Sequence, residues 1–332
     1  MKINKGQFQL SSQMESLRFH LKRGRGHLFR YIINRARWHY YPRMRYVSRF
    51  PEHIDIEISS ACDMSCPMCY RRMDEFKTRV QATLMDLALF KKLVDECVKY
   101  NAYSIRLSLR GEAFLHPNIV EMIQYAKRKG IREVSTLTNG FKLNPELFVE
   151  VMDVGLDWLT ISFDGLGKTY ERIRQPAKFE EAVDKIRRYN EIKKAQGKVK
   201  PVIKVQSIWP AIEDDIEAYY GIFAPIVDQI ASNPLIEYLH RDADIEYEDD
   251  FICPVPWQRL SVSSNGLVLM CVNDEFGENI IGDTKKESLY GIWNGQLLQK
   301  IREIHKNRGG IKKLDPCKKC YLPRKINLER GK

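Results

Sequence analysis

Apolar positions along the chain keep two rhythms. Short β-branched runs at 54–58, 104–109, 133–137, 158–163 and 202–208 predict strands. Between and after them, amphipathic stretches at about 84–100, 118–129, 145–154, 180–196 and 214–222 predict helices. Strand, helix, strand at this cadence builds right-handed βαβ units and a parallel sheet. Five or six such units suit an open or closed α/β barrel, whose chemistry sits at the C-terminal ends of the strands.

An acidic, turn-rich stretch at 242–250 interrupts the cadence. Beyond it come short strands, a Ser264-Asn265-Gly266 turn and one helix at about 289–306, which we read as a small α+β module over 251–325. The division expected is therefore an arm over 1–50, a barrel over 51–240 and that module. The sequence holds no internal repeat and no low-complexity tract.

With 44% hydrophobic and 11% aromatic residues among 332, the chain has enough apolar material for a core, which excludes wholesale disorder. No run approaches the ~18 apolar residues of a membrane span. The opening residues lack the apolar region of a secretory signal. A soluble, cytoplasmic protein is the expectation.

Charge changes the picture of the N-terminus. Residues 1–50 hold 12 Lys/Arg and one acid, Glu15, whereas the other 282 residues carry 42 basic and 42 acidic side chains. All of the +11 excess lies in the arm. From Ser16 to Phe50 basic residues interleave with aromatics, and Leu17, Leu21, Leu28, Ile32 and Ile33 leave an apolar stripe, roughly helical before Pro42. An ordinary helix across the barrel with a solvated basic face explains this. So does a peripheral anionic membrane surface bound through residues 16–50, or an acidic partner protein. Nucleic acid ranks last, because the rest of the chain adds no net positive charge.

Seven of the eight cysteines form two groups with ligand-like spacing. Cys62-Asp-Met-Ser-Cys66-Pro-Met-Cys69 directly follows the first strand. Three thiolates there can hold three irons of a [4Fe–4S] cube and leave the fourth iron open, whereas structural zinc and electron-transfer clusters want four ligands. Zinc with a distant fourth ligand is the alternative.

In this run the chain resembles the radical S-adenosylmethionine (SAM) superfamily, which carries it at this position of a partial (β/α)6 TIM-like barrel. The resemblance implies that SAM chelates the open iron and is cleaved reductively to a 5′-deoxyadenosyl radical, which abstracts a substrate hydrogen. Met68 stands where the family often has an aromatic. Leu109-Arg110-Gly111-Glu112 resembles the Gly-Gly-Glu segment that binds the SAM amino group, with Arg110 replacing the first glycine. Asn139, in Thr138-Asn139-Gly140, falls at a similar family turn. Ser162-Phe163-Asp164-Gly165 followed by Arg174 resembles a pattern in which Ser162 and Arg174 hold the SAM ribose and carboxylate region. Alone, each of these segments is an ordinary turn; their order along the barrel is what points to SAM.

The second group, Cys253, Cys271, Cys317 and Cys320, resembles the SPASM/twitch auxiliary-cluster domain, including its C-x12-G-x4-C element through Gly266. Full SPASM domains carry seven cysteines; four imply one fully ligated auxiliary [4Fe–4S] cluster, and zinc would be served by the same four. Trp257 reads as core. Cys97 reads as a buried thiol, which disfavours an epimerase needing a cysteine hydrogen donor.

The spacing of the four resembles that of radical SAM aminocyclitol dehydrogenases. The expectation is therefore an oxidoreductase acting on a sugar, aminosugar or cyclitol, with the auxiliary cluster as electron acceptor and Asp274 or Asp244 as base. A flavodoxin or ferredoxin would supply electrons. A ribosomal-peptide epimerase or cross-linking enzyme and a zinc-bearing nucleic-acid binder are the alternatives.

Overall fold

A computed structural model describes residues 8–233, 251–307, 309–318, 320, 322 and 323. Its strands are β1 (Phe8–Gln9), β2 (His53–Ile56), β3 (Ser104–Arg106), β4 (Glu133–Thr138), β5 (Trp158–Ser162), β6 (Val202–Ile208), β7 (Gln229–Asn233), β8 (Arg259–Val262), β9 (Leu267–Leu269) and β10 (Ile280–Asp283). One sheet joins them in the order β1-β7-β6-β5-β4-β3-β2-β8-β9-β10. From β2 to β7 every neighbouring pair is parallel and sequential, with helices crossing over between the strands. The sheet stays open, so the arrangement is the partial (β/α)6 barrel expected. β7, the sixth parallel strand, adds to the five that the apolar runs predict, because Gln229-Ile-Ala-Ser-Asn is too mixed to stand out as one.

Cap chemistry sets the helix starts. Asp86 accepts the Leu89 N–H at 2.9 Å, so the helix Leu87–Lys99 begins three residues after the expected start. Asn144 accepts the Leu147 N–H and Pro145 occupies the first turn of Pro145–Asp153. The single helix expected over 289–306 is two, Leu289–Asn294 and Gln296–Lys306, because Gly295 between them takes an extended conformation.

The module over 251–325 does not stand apart from the barrel sheet. β8 pairs with β2 in parallel, His53 opposite Arg259 and Ile56 opposite Val262, and β9 and β10 follow antiparallel. The cysteine-bearing segment thus extends the sheet beyond the barrel's first strand.

The two sheet faces divide by chemistry. Ile54, Ile105, Val134, Leu159, Val205, Ile230 and Leu260 belong to the apolar core beneath the helices. Most alternate positions, aligned by register, are polar: Asp55 opposite Arg106 and Ser261, Thr160 opposite Lys204, Ser162 opposite Gln206, with Leu137 an apolar exception. Asp55 is fully buried and meets Arg106 at 2.8 Å, His53 at 3.0 Å and Arg259 at 3.4 Å. The barrel interior is built for polar contents.

The arm forms two helices, α1 (Gln13–Arg23) and α2 (Leu28–Met44), packed on the strand-start end of the barrel. Arg23 pairs with Glu133 at the head of β4 through two bonds of 2.5 and 2.6 Å and lies 4.0 Å over the Trp158 ring. With both partners buried, that arginine holds Glu133 low, at about 2. Pro42 does not end α2 as expected. The Trp38 carbonyl, deprived of a residue-42 N–H, accepts the Gln258 side-chain amide at 2.6 Å instead.

Candidate active site

The Cys62–Cys69 loop leaves β2 and is held against the turn after β3 by backbone contact. The Glu112 N–H donates to the Ala61 carbonyl at 2.7 Å. A Cβ at Gly111 would lie 2.4 Å from the Ala61 oxygen and 2.5 Å from the Ser59 oxygen, so only glycine permits this approach. Arg71 donates to the Ser60 carbonyl from the other side.

Cys62, Cys66 and Cys69 line one cavity of about 940 Å³ that runs into the barrel. Two side chains aim N–H groups at the sulfurs: Asn139 Nδ2 lies 3.9 Å from Cys62 Sγ, and an Arg174 terminal nitrogen 3.7 Å from Cys66 Sγ. Burial raises all three thiols, so metal loading displaces their protons. Three cysteines on one wall, with donors to their sulfurs and room beside them, fit a three-ligand [4Fe–4S] cluster and SAM.

The residues expected around SAM fall into two groups. Gly111, Glu112, Asn139, Ser162 and Arg174 line the cavity with the cysteines. Glu112 is buried and accepts from the Thr138 hydroxyl at 2.8 Å and the Phe114 and Asn139 N–H groups at 3.0 and 2.7 Å. Burial pushes it up to about 7 despite those donors. A carboxylate offers about four acceptor sites, so one remains for a ligand ammonium. Asp164 is not in the lining: it holds Arg174 Nε at 2.7 Å and accepts the Ile208 N–H at 2.8 Å. Its place is behind Arg174, orienting the guanidinium.

The expected bases fare differently. Asp274 is turned away from the cavity, with its oxygens accepting the Glu278 and Asn279 N–H groups at 2.9 and 2.8 Å to close a turn. Asp244 lies outside the described residues. Glu275, beside Asp274, does line the cavity, and Tyr70, Arg71 and Asn273 line it too. Tyr70 and Arg71 follow Cys69 and Asn273 and Glu275 flank Asp274, so the neighbourhoods were legible and the particular side chains were not.

Arg110, which replaces a glycine of the family pattern, ties the site together. Its guanidinium grips buried Glu57 at 2.8 and 2.6 Å and reaches the Glu275 carbonyl at 3.3 Å. Glu57 also accepts the Ser264 N–H at 3.1 Å.

Cys253, Cys271, Cys317 and Cys320 line a second cavity with Asn273 and His305. Burial and mutual repulsion push Cys253 up to about 12 and raise Cys271 well above the usual thiol range, as expected of thiols sharing one pocket. Asn273 donates its backbone N–H to Cys271 Sγ at 3.1 Å and its side-chain amide to Cys320 Sγ at 3.3 Å. His305 Nε2 lies 3.6 Å from Cys317 Sγ and burial lowers that imidazole to about 4. Four thiols in a shared pocket with N–H donors fit an auxiliary cluster. Asn273 belongs to both cavities and forms part of the wall between them. Trp257 and Cys97 are fully buried; Cys97 belongs to the apolar core, while Trp257 lies edge-on to His305 behind the second cavity.

A family model of the radical SAM superfamily matches residues 56–201, and one of the SPASM iron–sulfur cluster-binding domain matches residues 253–321. The chain is 24% identical over 279 residues to the tungsten-containing aldehyde ferredoxin oxidoreductase cofactor-modifying protein of Pyrococcus furiosus, covering 77% of this chain and 73% of that protein. It is 25% identical over 190 residues to a probable GTP 3′,8-cyclase of Methanococcus maripaludis, covering 56% and 62%. Among solved structures, BtrN in complex with AdoMet and 2-DOIA superposes with a TM-score of 0.59 at 19% identity, over 83% of this chain and 94% of that one. Streptococcus suis SuiB bound to S-adenosylmethionine gives 0.59 at 13% identity, over 91% and 79%. Those two likenesses show the fold. The family matches set aside the zinc-bearing nucleic-acid binder. The chain belongs to the radical SAM superfamily: it is a SAM- and [4Fe–4S]-dependent enzyme with a C-terminal SPASM iron–sulfur domain.

Proposed function

We propose that this enzyme dehydrogenates a secondary alcohol of a sugar, aminosugar or cyclitol. The observation that carries the reading is the pair of cysteine-lined cavities that share Asn273 in their walls. One site for hydrogen abstraction and one for electron acceptance, side by side, suit a two-electron oxidation.

Clusters held by Cys62, Cys66 and Cys69 and by Cys253, Cys271, Cys317 and Cys320, with SAM, would supply the one-electron chemistry: removal of the carbinol hydrogen atom on one side and acceptance of the second electron on the other. The protein's residues do the rest. Glu112, Ser162 and Arg174 bind and orient SAM, with Asp164 fixing Arg174. Glu275, a carboxylate of the cavity wall, takes the hydroxyl proton, so that one hydrogen atom, one proton and one electron leave the alcohol and a ketone remains.

A polar substrate is supported by the lining itself. Among the described residues, buried Arg259 Nε and Asn233 Oδ1 have no hydrogen-bond partner, and both residues line the cavity. Hydroxyl groups would satisfy them. The BtrN likeness, with 2-DOIA bound in that protein, points the same way. A ribosomal peptide as substrate has less support, because residues 13–44 form two helices against the barrel rather than a strand-bearing docking wing. An acidic flavodoxin or ferredoxin suits the reductant.

Anaerobic reconstitution followed by iron, sulfide and 5′-deoxyadenosine assays tests the reading. About eight irons per chain, with 5′-deoxyadenosine formed on dithionite reduction, is the expected result. Loss of about four of those irons in Cys271→Ala, without loss of SAM cleavage, would confirm a separate auxiliary site. A chain that holds only four irons would remove the electron acceptor and with it the dehydrogenation.

A further inference from the structure

α1 and α2 are amphipathic in the inverted sense. Their inward faces carry Phe19 and Arg23, then Tyr31, Asn34 and Pro42, all buried. Their outward faces also carry large apolar side chains. Leu17 and Leu21 stand one turn apart on α1, and Phe29, Ile32, Tyr40 and Met44 follow helical spacing along α2. Phe29 is 74% and Met44 68% exposed. Single apolar residues on a surface are ordinary, but a stripe that continues over two successive helices is not.

Basic side chains run with the stripe. Arg18 follows a stripe residue on α1, Arg25 lies in the turn, Arg30 is on α2 and Arg45 just past its end, all exposed; Lys22, also exposed, is turned to Asp228 at 2.5 Å. Glu15 is the sole acid in the first 50 residues, and it is turned to the Tyr220 hydroxyl at 2.6 Å. A second copy of the chain laid isologously on this face would set the arginines of both copies against each other. A nucleic acid would leave the apolar stripe uncovered. An anionic bilayer satisfies both parts, taking the apolar side chains at the acyl boundary and the arginines among the phosphates.

We infer that the outward face of α1 and α2 docks this enzyme on an anionic phospholipid surface. His39 and Arg43, on α2, also line the large cavity, so a docked chain holds that end of its cavity beside the bilayer.

The test is co-sedimentation of the reconstituted full chain with vesicles of phosphatidylcholine alone and of phosphatidylcholine with phosphatidylglycerol. Expected is binding tighter on the anionic vesicles by on the order of tenfold or more, weakened by salt. The double variant Phe29→Glu and Ile32→Glu, whose side chains are exposed in the folded chain, should lose that binding while keeping its iron content and melting temperature. Equal binding to both vesicles, or none, overturns the proposal. So does a dimer in light scattering that the double variant dissociates, since a second copy would then be what covers the stripe.

Discussion

Arg110 and Glu57 meet through a two-pronged ion pair inside the protein, 2.8 and 2.6 Å long, at the point where the SAM-side turn, the end of β2 and the auxiliary module converge. Both side chains are nearly inaccessible, at 5% and 0%. Removing one member strands the other as a buried charge. Arg110→Ala should therefore cost about 3–5 kcal/mol in anaerobic urea unfolding. Arg110→Lys, with the charge but not the fork, should recover less than half of it.

Gly111→Ala tests the close approach of two loops. The added methyl meets backbone oxygens, which have no rotamer to escape through. The cysteine loop must shift, and the expected outcome is a protein that loses the irons of Cys62, Cys66 and Cys69 while retaining those of the auxiliary site. Iron counting on the variant, beside its Cys271→Ala double, reads this directly.

Lys204 gives a pH signature. It is buried in the barrel, and burial, reinforced by Arg23 and Arg106, lowers it to about 7 from the usual 10.5. Between those values the unfolded chain binds a proton that the folded chain does not, so its contribution to stability rises with pH. Below pH 7 the folded state carries the full penalty of a buried ammonium. Lys204→Met should raise the melting temperature by a few degrees at pH 6, and the gain should fade towards pH 10.5.

Asn273 predicts a redox effect. Its side-chain N–H points at Cys320 Sγ, and a donor to a cluster thiolate favours the reduced, more negative state. Asn273→Ala should shift the auxiliary couple to more negative potential in an EPR-monitored titration. A shift with unchanged SAM cleavage in the absence of substrate would separate this role from cluster loss.

Glu275→Gln and Asp274→Asn separate base from scaffold. The first should abolish ketone formation while 5′-deoxyadenosine release persists. The second should loosen the turn that ends at Asn279, and its loss should appear in stability before chemistry.

Much of this architecture was legible in sequence because βα cadence and cysteine spacing are local signals. β2 through β6 and the helices between them, and both cysteine groups, could be read from short windows. What escaped depends on partners far along the chain. β7 has no apolar pattern of its own and exists because β6 pairs with it. The continuation of α2 through Pro42 needs an amide from Gln258. Glu275 lines the cavity and its neighbour Asp274 does not, a difference of one residue in a turn whose direction the sequence does not encode. Asp164 had the right neighbourhood, and its role behind Arg174 became visible only with the ion pair.

The pairing of β8 with β2 bears on how the chain is made. During synthesis β2 and its three cysteines leave the ribosome roughly 200 residues ahead of the strand that covers β2's outer edge. Until then a nascent edge and three thiols stand open together, exposed to mispairing and to oxidation. Iron delivery before release would have to reach a half-built site. The sheet order therefore favours cluster insertion after translation, into a chain whose last strand is already in place.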